Sequence, residues 1–171
     1  MANVIRNQNL VDTNKRTLVK KVFISDGSTN EANTVFIDPG SFAFSMNANN
    51  KILGTGTDRK STYRTTIKRI VGESVSNNGI VKLQWHGNAN SEIILFGKTG
   101  RFQYEFEAMG DGAVISNPEA NSTGNVLITT TGFISGEGFT AFIDFRKDAR
   151  DYDSGQTADP VAFNRGPAAG P

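Results

Sequence analysis

Residues 138–146 read GFTAFIDFR, and the alternation in that stretch sets the fold class. Phe139, Ala141, Ile143 and Phe145 occupy every second position. A helix groups residues three and four apart, whereas a strand sends residues two apart to one face. The same period runs through IVKLQW, where Val81, Leu83 and Trp85 oppose Lys82 and Gln84. In RFQYEFE, Phe102, Tyr104 and Phe106 oppose Arg101, Gln103, Glu105 and Glu107. Each pattern predicts a strand with one dry face and one wet or partner-facing side. Further strands are expected over Thr17–Ser25, Thr34–Asp38, Phe42–Met46, Tyr63–Val75, Glu92–Phe96 and Val126–Phe133. Twelve phenylalanines and frequent β-branched residues suit this reading. The predicted core comprises Val81, Leu83, Trp85, Phe102, Tyr104, Phe106, Ile143 and Phe145.

Turn chemistry punctuates the strands. Asn78-Gly79 lies between two strand patterns and predicts a hairpin, because both residues tolerate positive φ. GKTG, residues 97–100, is expected to link its flanking strands in the same manner, and DPGS, NANNK and GDG mark other turns. No window carries a capped apolar stripe of helical period. The fold class is therefore all-β: an antiparallel β-sandwich or jelly roll with extended N- and C-terminal arms. The expected division is an N-terminal arm over 1–14, a sandwich domain over 15–147 and a C-terminal arm over 148–171.

A chain of 171 residues can bury roughly 70% of its unfolded surface in one core. Eighteen basic and seventeen acidic residues leave a formal charge of +1, which supplies no global field for nucleic acid or an anionic membrane. Without cysteine there is no disulfide frame and no thiolate chemistry. The opening MANVIRNQNL lacks the pattern of a secretory signal, and no apolar run reaches the length of a membrane span. The expectation is a protein made and folded in a cytoplasm.

Chemical motifs are sparse. DYDSGQTADP, residues 151–160, places Asp151 and Asp153 as a calcium loop would. Its glycine falls at the fifth position instead of the sixth, no glutamate stands at the twelfth, and helical flanks are missing. An arm whose aspartates pair with arginines and cap turns accounts for it better, with an irregular calcium site including Asp159 as the alternative. The Gly-Lys-Thr of residues 97–99 lacks the upstream glycine and following helix of a phosphate loop, since Glu92 holds the glycine position. His86, the one histidine, follows Trp85 at a strand end and reads as a surface or cross-strand residue instead of a general base. Glu105 and Glu107 share a strand face, which reads as a wet side and not as a glycosidase pair. Arg59, Lys60, Arg64, Lys68 and Arg69 read as a charged solvent face. No catalytic residue, metal ligand or cofactor site is assigned. Tyr152, Val161, Phe163 and Arg165 are apolar or cationic anchors in an otherwise polar tail, and they are the candidate interface residues.

Four phrases carry a resemblance: STYRTTIKRI, LQWHGNANSEI, NPEANSTGNVLITTTGF and DFRKDARDYDSGQTADPVAFNRGP. They resemble small virion structural proteins of marine tailed bacteriophages, including those infecting cyanobacteria, over about Leu10 to Pro167. The resemblance implies a structural protein of the virion, made in the host bacterial cytoplasm. The preferred place is the capsid exterior, as a decoration (cement) protein. Its partners would be the major capsid protein and sister subunits, in a homo-oligomer such as a trimer. A neck or tail component is the alternative. A carbohydrate-binding module stacking sugars on Trp85, Tyr63 or Tyr104 is a third reading, which needs those rings exposed.

Overall fold

The computed structural model describes residues 2–13, 16–42, 64–87, 89–106, 115–116 and 124–148. They form β1 (Val4–Asp12), β2 (Arg16–Ile24), β3 (Thr34–Ile37), β4 (Arg64–Val75), β5 (Ile80–Trp85) and β6 (Ser91–Gly97). These are followed by β7 (Gly100–Glu105), β8 (Ile115–Ser116), β9 (Val126–Thr131) and β10 (Gly138–Asp148). A single 3-10 turn, Pro39–Ser41, follows β3, with Asp38 accepting the Gly40 N–H at its start. One sheet of six strands runs β1-β2-β10-β4-β7, with β8 against the start of β4. A sheet of four runs β3-β9-β5-β6, and every pair in both sheets is antiparallel. The chain is thus an all-β sandwich, as the alternation predicts. Residues 43–46 of the expected Phe42–Met46 strand lie outside the described residues. Within the stretch expected as an extended N-terminal arm, Val4–Asp12 is extended and paired to β2. Asn3 pins its start by donating to Thr29 O and Glu31 Oε1 and accepting the Asp26 N–H.

β10 lies between β2 and β4, and its inward residues build the middle of the core. Phe139 stands at the centre, with ring centroids 5.4 Å from Phe23, 5.9 Å from Phe36 and 5.2 Å from Phe96. Two of these contacts cross between the sheets, so dispersion and burial at one ring tie both layers together. Val81, Leu83, Trp85, Ile143 and Phe145 are fully buried, as expected from sequence. Phe102, Tyr104 and Phe106 also point inward but are only partly buried. Phe102 and Tyr104 belong to β7 and Phe106 follows it, and β7 closes one edge of its sheet, so a neighbouring strand flanks it on one side only. Phe102 makes up part of the difference by stacking on Phe96 at 4.2 Å.

Both expected hairpins are something else. β4 and β5 belong to different sheets, and so do β6 and β7. Asn78-Gly79 and Lys98-Thr99 are therefore arches that carry the chain from one layer to the other. Neither Asn78 nor Gly79 has positive φ; at the second arch Lys98 does, at 62°. Gly79 is required for room: a β-carbon there would lie 2.6 Å from the Phe133 ring and closer still to Ser76 Oγ. Two more crossings, β2 to β3 and β9 to β10, turn at the same end of the sandwich, because Ile24, Val75 and Gly138 are register neighbours.

A buried carboxylate joins these crossings. Glu137, just before β10, accepts the Ser76 hydroxyl at 2.9 Å, the Asn77 N–H at 2.9 Å and the Ile134 N–H at 3.1 Å. Its own carbonyl accepts the Ser25 N–H. Ser76 Oγ in turn accepts the Gly79 N–H, while Thr99 Oγ1 bonds both the N–H and the carbonyl of Ser76. The backbone N–H donors of Asn77 and Ile134, with the Ser76 hydroxyl, hold the Glu137 carboxyl below its ordinary value despite burial. At Asp26, the N–H groups of Ser28 and Thr29 lower the carboxyl to about 2.

Phe145→Ala should cost roughly 3–5 kcal/mol in a denaturant titration, and Phe102→Ala clearly less, because only the first ring is fully enclosed. A folded-state carboxyl pKa below the unfolded one stabilises at pH values above the unfolded pKa. That contribution fades as pH falls through the folded value. Melting temperature should thus decline below about pH 4.5, and Glu137→Gln should flatten part of that decline while lowering stability at pH 7.

Candidate interaction surface

The six-stranded sheet has one face in the core and one facing away from the second sheet. On that outer face, Val4, Ile24, Gly138 and Val75 form a row across β1, β2, β10 and β4. Val75 is 58% exposed. Gly138 contributes no side chain, which leaves a groove of about 300 Å³ flanked by Val22, Ile24, Glu73, Val75 and Thr140. Beside it lies an open depression of about 490 Å³, bordered by Val71, Glu73, Arg101, Gln103, Thr140 and Phe142. Three apolar side chains, Val4, Ile24 and Val75, thus stand in register across a row four strands wide, with Gly138 as the gap between the last two.

Charge on this face is mostly cationic. Arg16 forks onto Asp144 through two 2.7 Å bonds, and Arg69 sits 3.7 Å from Glu105. Arg6, Lys20, Arg101 and Arg146 share the face with those pairs, against Glu73. The Lys20 amine lies 5.8 Å from the Phe142 ring centroid.

Tyr152, Val161, Phe163 and Arg165 lie outside the described residues, as do Asp151, Asp153, Asp159, Tyr63 and Glu107. Trp85 is enclosed in the core, and Tyr104 faces inward with its hydroxyl donating to Leu95 O. Trp85 therefore offers a sugar no open stacking face, and Tyr104 is half-buried. The backbone N–H of His86 donates to Asn125 O, tying the end of β5 to the residue before β9. Residues 97–99 lead from β6 into an arch and then into β7. Of the expected charged solvent face, Arg69 lies on the outer face paired with Glu105, whereas Arg59 and Lys60 lie outside the described residues. Among the described residues, no three His, Cys, Asp or Glu side chains come together, and no helix is long and apolar enough to cross a membrane.

Two lysines face inward, which the sequence reading missed. Thr17, Val19, Lys21 and Phe23 share one parity on β2, so the period itself places Lys21 on the core side. Its amine sits 4.8 Å from the Phe36 ring centroid, and burial lowers its pKa to about 8. Lys147, at the opposite end from Glu137, donates to Asp12 Oδ1 and Thr13 O, both at 2.7 Å. Burial lowers its pKa while Asp12 works against that shift. Thr17 adds a 2.9 Å bond to the same Asp12 oxygen, so β1, β2 and β10 are clamped together there.

No protein-family model, curated protein or solved structure matches the chain.

Lys21 yields a signed pH test. The unfolded chain keeps this proton up to about pH 10.5, whereas the folded chain releases it near 8. Between those values the unfolded state binds more protons, so this residue makes stability rise with pH. Below pH 8 the cost of burying the charge is fully present. Lys21→Met should raise the melting temperature at pH 7 and remove the alkaline rise, measured as the difference between wild type and variant from pH 7 to 10.

Proposed function

We propose that this chain is a bacteriophage virion structural protein, acting as a capsid decoration protein on the outside of the major capsid lattice. The observation that carries the reading is the outer face of the six-stranded sheet. It is several strands wide, holds an exposed apolar row of Val4, Ile24 and Val75, and is fringed by Arg6, Lys20, Arg101 and Arg146. An acidic protein surface with apolar relief complements it. The work asked of a decoration protein is adhesion across a rigid surface, and a two-layer sandwich offers a large stiff face for it. The resemblance of the DFRKDARDYDSGQTADPVAFNRGP tail and three other phrases to marine phage virion proteins supports the same reading. The tail residues Tyr152, Val161, Phe163 and Arg165 would add reach to a neighbouring subunit.

The experiment is co-sedimentation with particles lacking the native copy, alongside a melting curve for each variant. Ile24→Asp with Val75→Asp should abolish binding without lowering the melting temperature appreciably, because both side chains are exposed. Removing residues 149–171 should weaken binding strongly, with Phe163→Ala reproducing part of the loss and Arg165→Ala a salt-sensitive part. Bound copies should scale with the number of capsid subunits. Binding confined to a few copies per particle would favour a neck or tail ring, and unimpaired binding by the double variant would remove the outer face from the contact.

A further inference from the structure

Apart from the two-residue β8, the outermost strands of the two sheets are guarded unequally. β3 is only four residues long and is irregular between Val35 and Ile37. β6 receives the Tyr104 hydroxyl on its Leu95 carbonyl and has Phe102 stacked on its Phe96. β7 carries Arg101 and Glu105 within six residues. β1 is nine residues long, and Arg6 is its one charge before the terminal Asp12. It has no proline, and every residue from Arg6 to Val11 is exposed. Apart from Arg6 and the irregularity between Asn9 and Val11, this long exposed edge offers its outward backbone donors and acceptors to another strand.

The side chains of β1 indicate which strand. Residues 4–11 read VIRNQNLV, which is close to its own reverse. Asn9 pairs with Val19 and Val11 with Leu18, so Leu10 is the extra residue of a bulge. If Asn9 and Leu10 count as one rung, the strand has a centre of symmetry at Asn7. Antiparallel self-pairing about that centre sets Val4 opposite Val11, Ile5 opposite the bulge, Arg6 opposite Gln8 and Asn7 opposite its own copy. A two-fold axis perpendicular to the sheet keeps the outer faces of both copies on one side, and the parity agrees. Val4, Arg6, Gln8 and Val11 lie on the outer face, and Ile5 and Asn7 on the inner one. The exposed Val4, Leu10 and Val11 would be covered, and no two like charges would face each other.

We propose that β1 is the self-association edge of this protein, pairing antiparallel with β1 of a second copy about a two-fold axis at Asn7. The two six-stranded sheets then run on as one continuous sheet. As the contact between sister subunits this rests on the assembly reading above, and it makes that unit a dimer or a multiple of one.

The absence of cysteine makes the test direct. Directly opposed residues of an antiparallel pair have Cα atoms about 4.5–5.5 Å apart, within disulfide reach. Asn7→Cys in the full chain should yield a covalent dimer on mild oxidation, much faster than Leu95→Cys, an exposed position on the other sheet. Val4→Cys with Val11→Cys should also link, while Val4→Cys alone should not. In sedimentation equilibrium the unmodified chain should be dimeric, and Asn7→Lys, which sets two cations together on the axis, should be a folded monomer with the same β-rich circular dichroism spectrum and a melting temperature that no longer depends on concentration. A monomeric unmodified chain, or linking of Asn7→Cys no faster than Leu95→Cys, would overturn the pairing. A crosslinker placed at Asn7→Cys that joins a different chain in particles, with no self-linking, would assign the edge to that chain and overturn it equally. A dimer that does not bind particles would count against the particle reading alone, and a monomer that decorates them would count against the pairing alone.

Discussion

The carboxylate of Glu137 is the constraint on which the two-layer arrangement rests. It binds Ser76 and Asn77 from the β4–β5 arch and Ile134 from the β9–β10 crossing, while Ser76 reaches Gly79 and Thr99. Arches that change sheets cannot satisfy their backbone groups through ladder pairing, so each needs partners of another kind. One buried acid with two oxygens answers several of those needs together. The cost of enclosing a charge is offset by donors that were themselves unpaired. That reciprocity explains why a carboxylate is tolerated at 9% exposure with no cation bonded to it among the described residues.

From this end the sandwich has a direction. Four crossings and the Glu137 network close one end, and the Phe139 cluster fills the middle. At the opposite end the Lys147–Asp12 pair joins β10 to β1, with Phe42 packed on Phe145 nearby. β10 spans the whole length, with Glu137 immediately before its first residue and Lys147 near its last. The same strand supplies the floor of the outer groove at Gly138, so core, clamp and surface share one element.

Part of the apolar surface that the core leaves over is ordered by strand register, while Val35, Ile80, Leu95 and Ile134 are exposed elsewhere. Val4, Ile24 and Val75 are aligned by register across strands, and Val4 and Val11 bracket the β1 edge. A face and an edge are separable contacts. A face adheres through buried area and charge, whereas an edge adds directional backbone bonds and fixes orientation. β1 contributes to both, because Val4 and Arg6 sit on the outer face while their backbone lies at the rim.

The period-two alternation by itself determined that the chain is all-β, where most strands lie, and which side of β5 and β10 is dry. These properties are local, because side-chain direction in a strand depends only on parity. Parity also put Lys21 on the core side, although a lysine there reads as a wet position until the neighbouring strands are known. Sheet membership was decided only by the tertiary structure. Asn78-Gly79 fits a hairpin locally, yet β4 pairs with β10 and β7 and leaves β5 to β9 and β6. The glycine serves for clearance against Phe133, a contact between residues more than fifty positions apart. The partial burial of Phe102, Tyr104 and Phe106 has the same origin, since no single strand records whether it lies at an edge. Glu137 gave no sign in the sequence because its donors come from Ser76 and Asn77, which approach it only after the arches have formed.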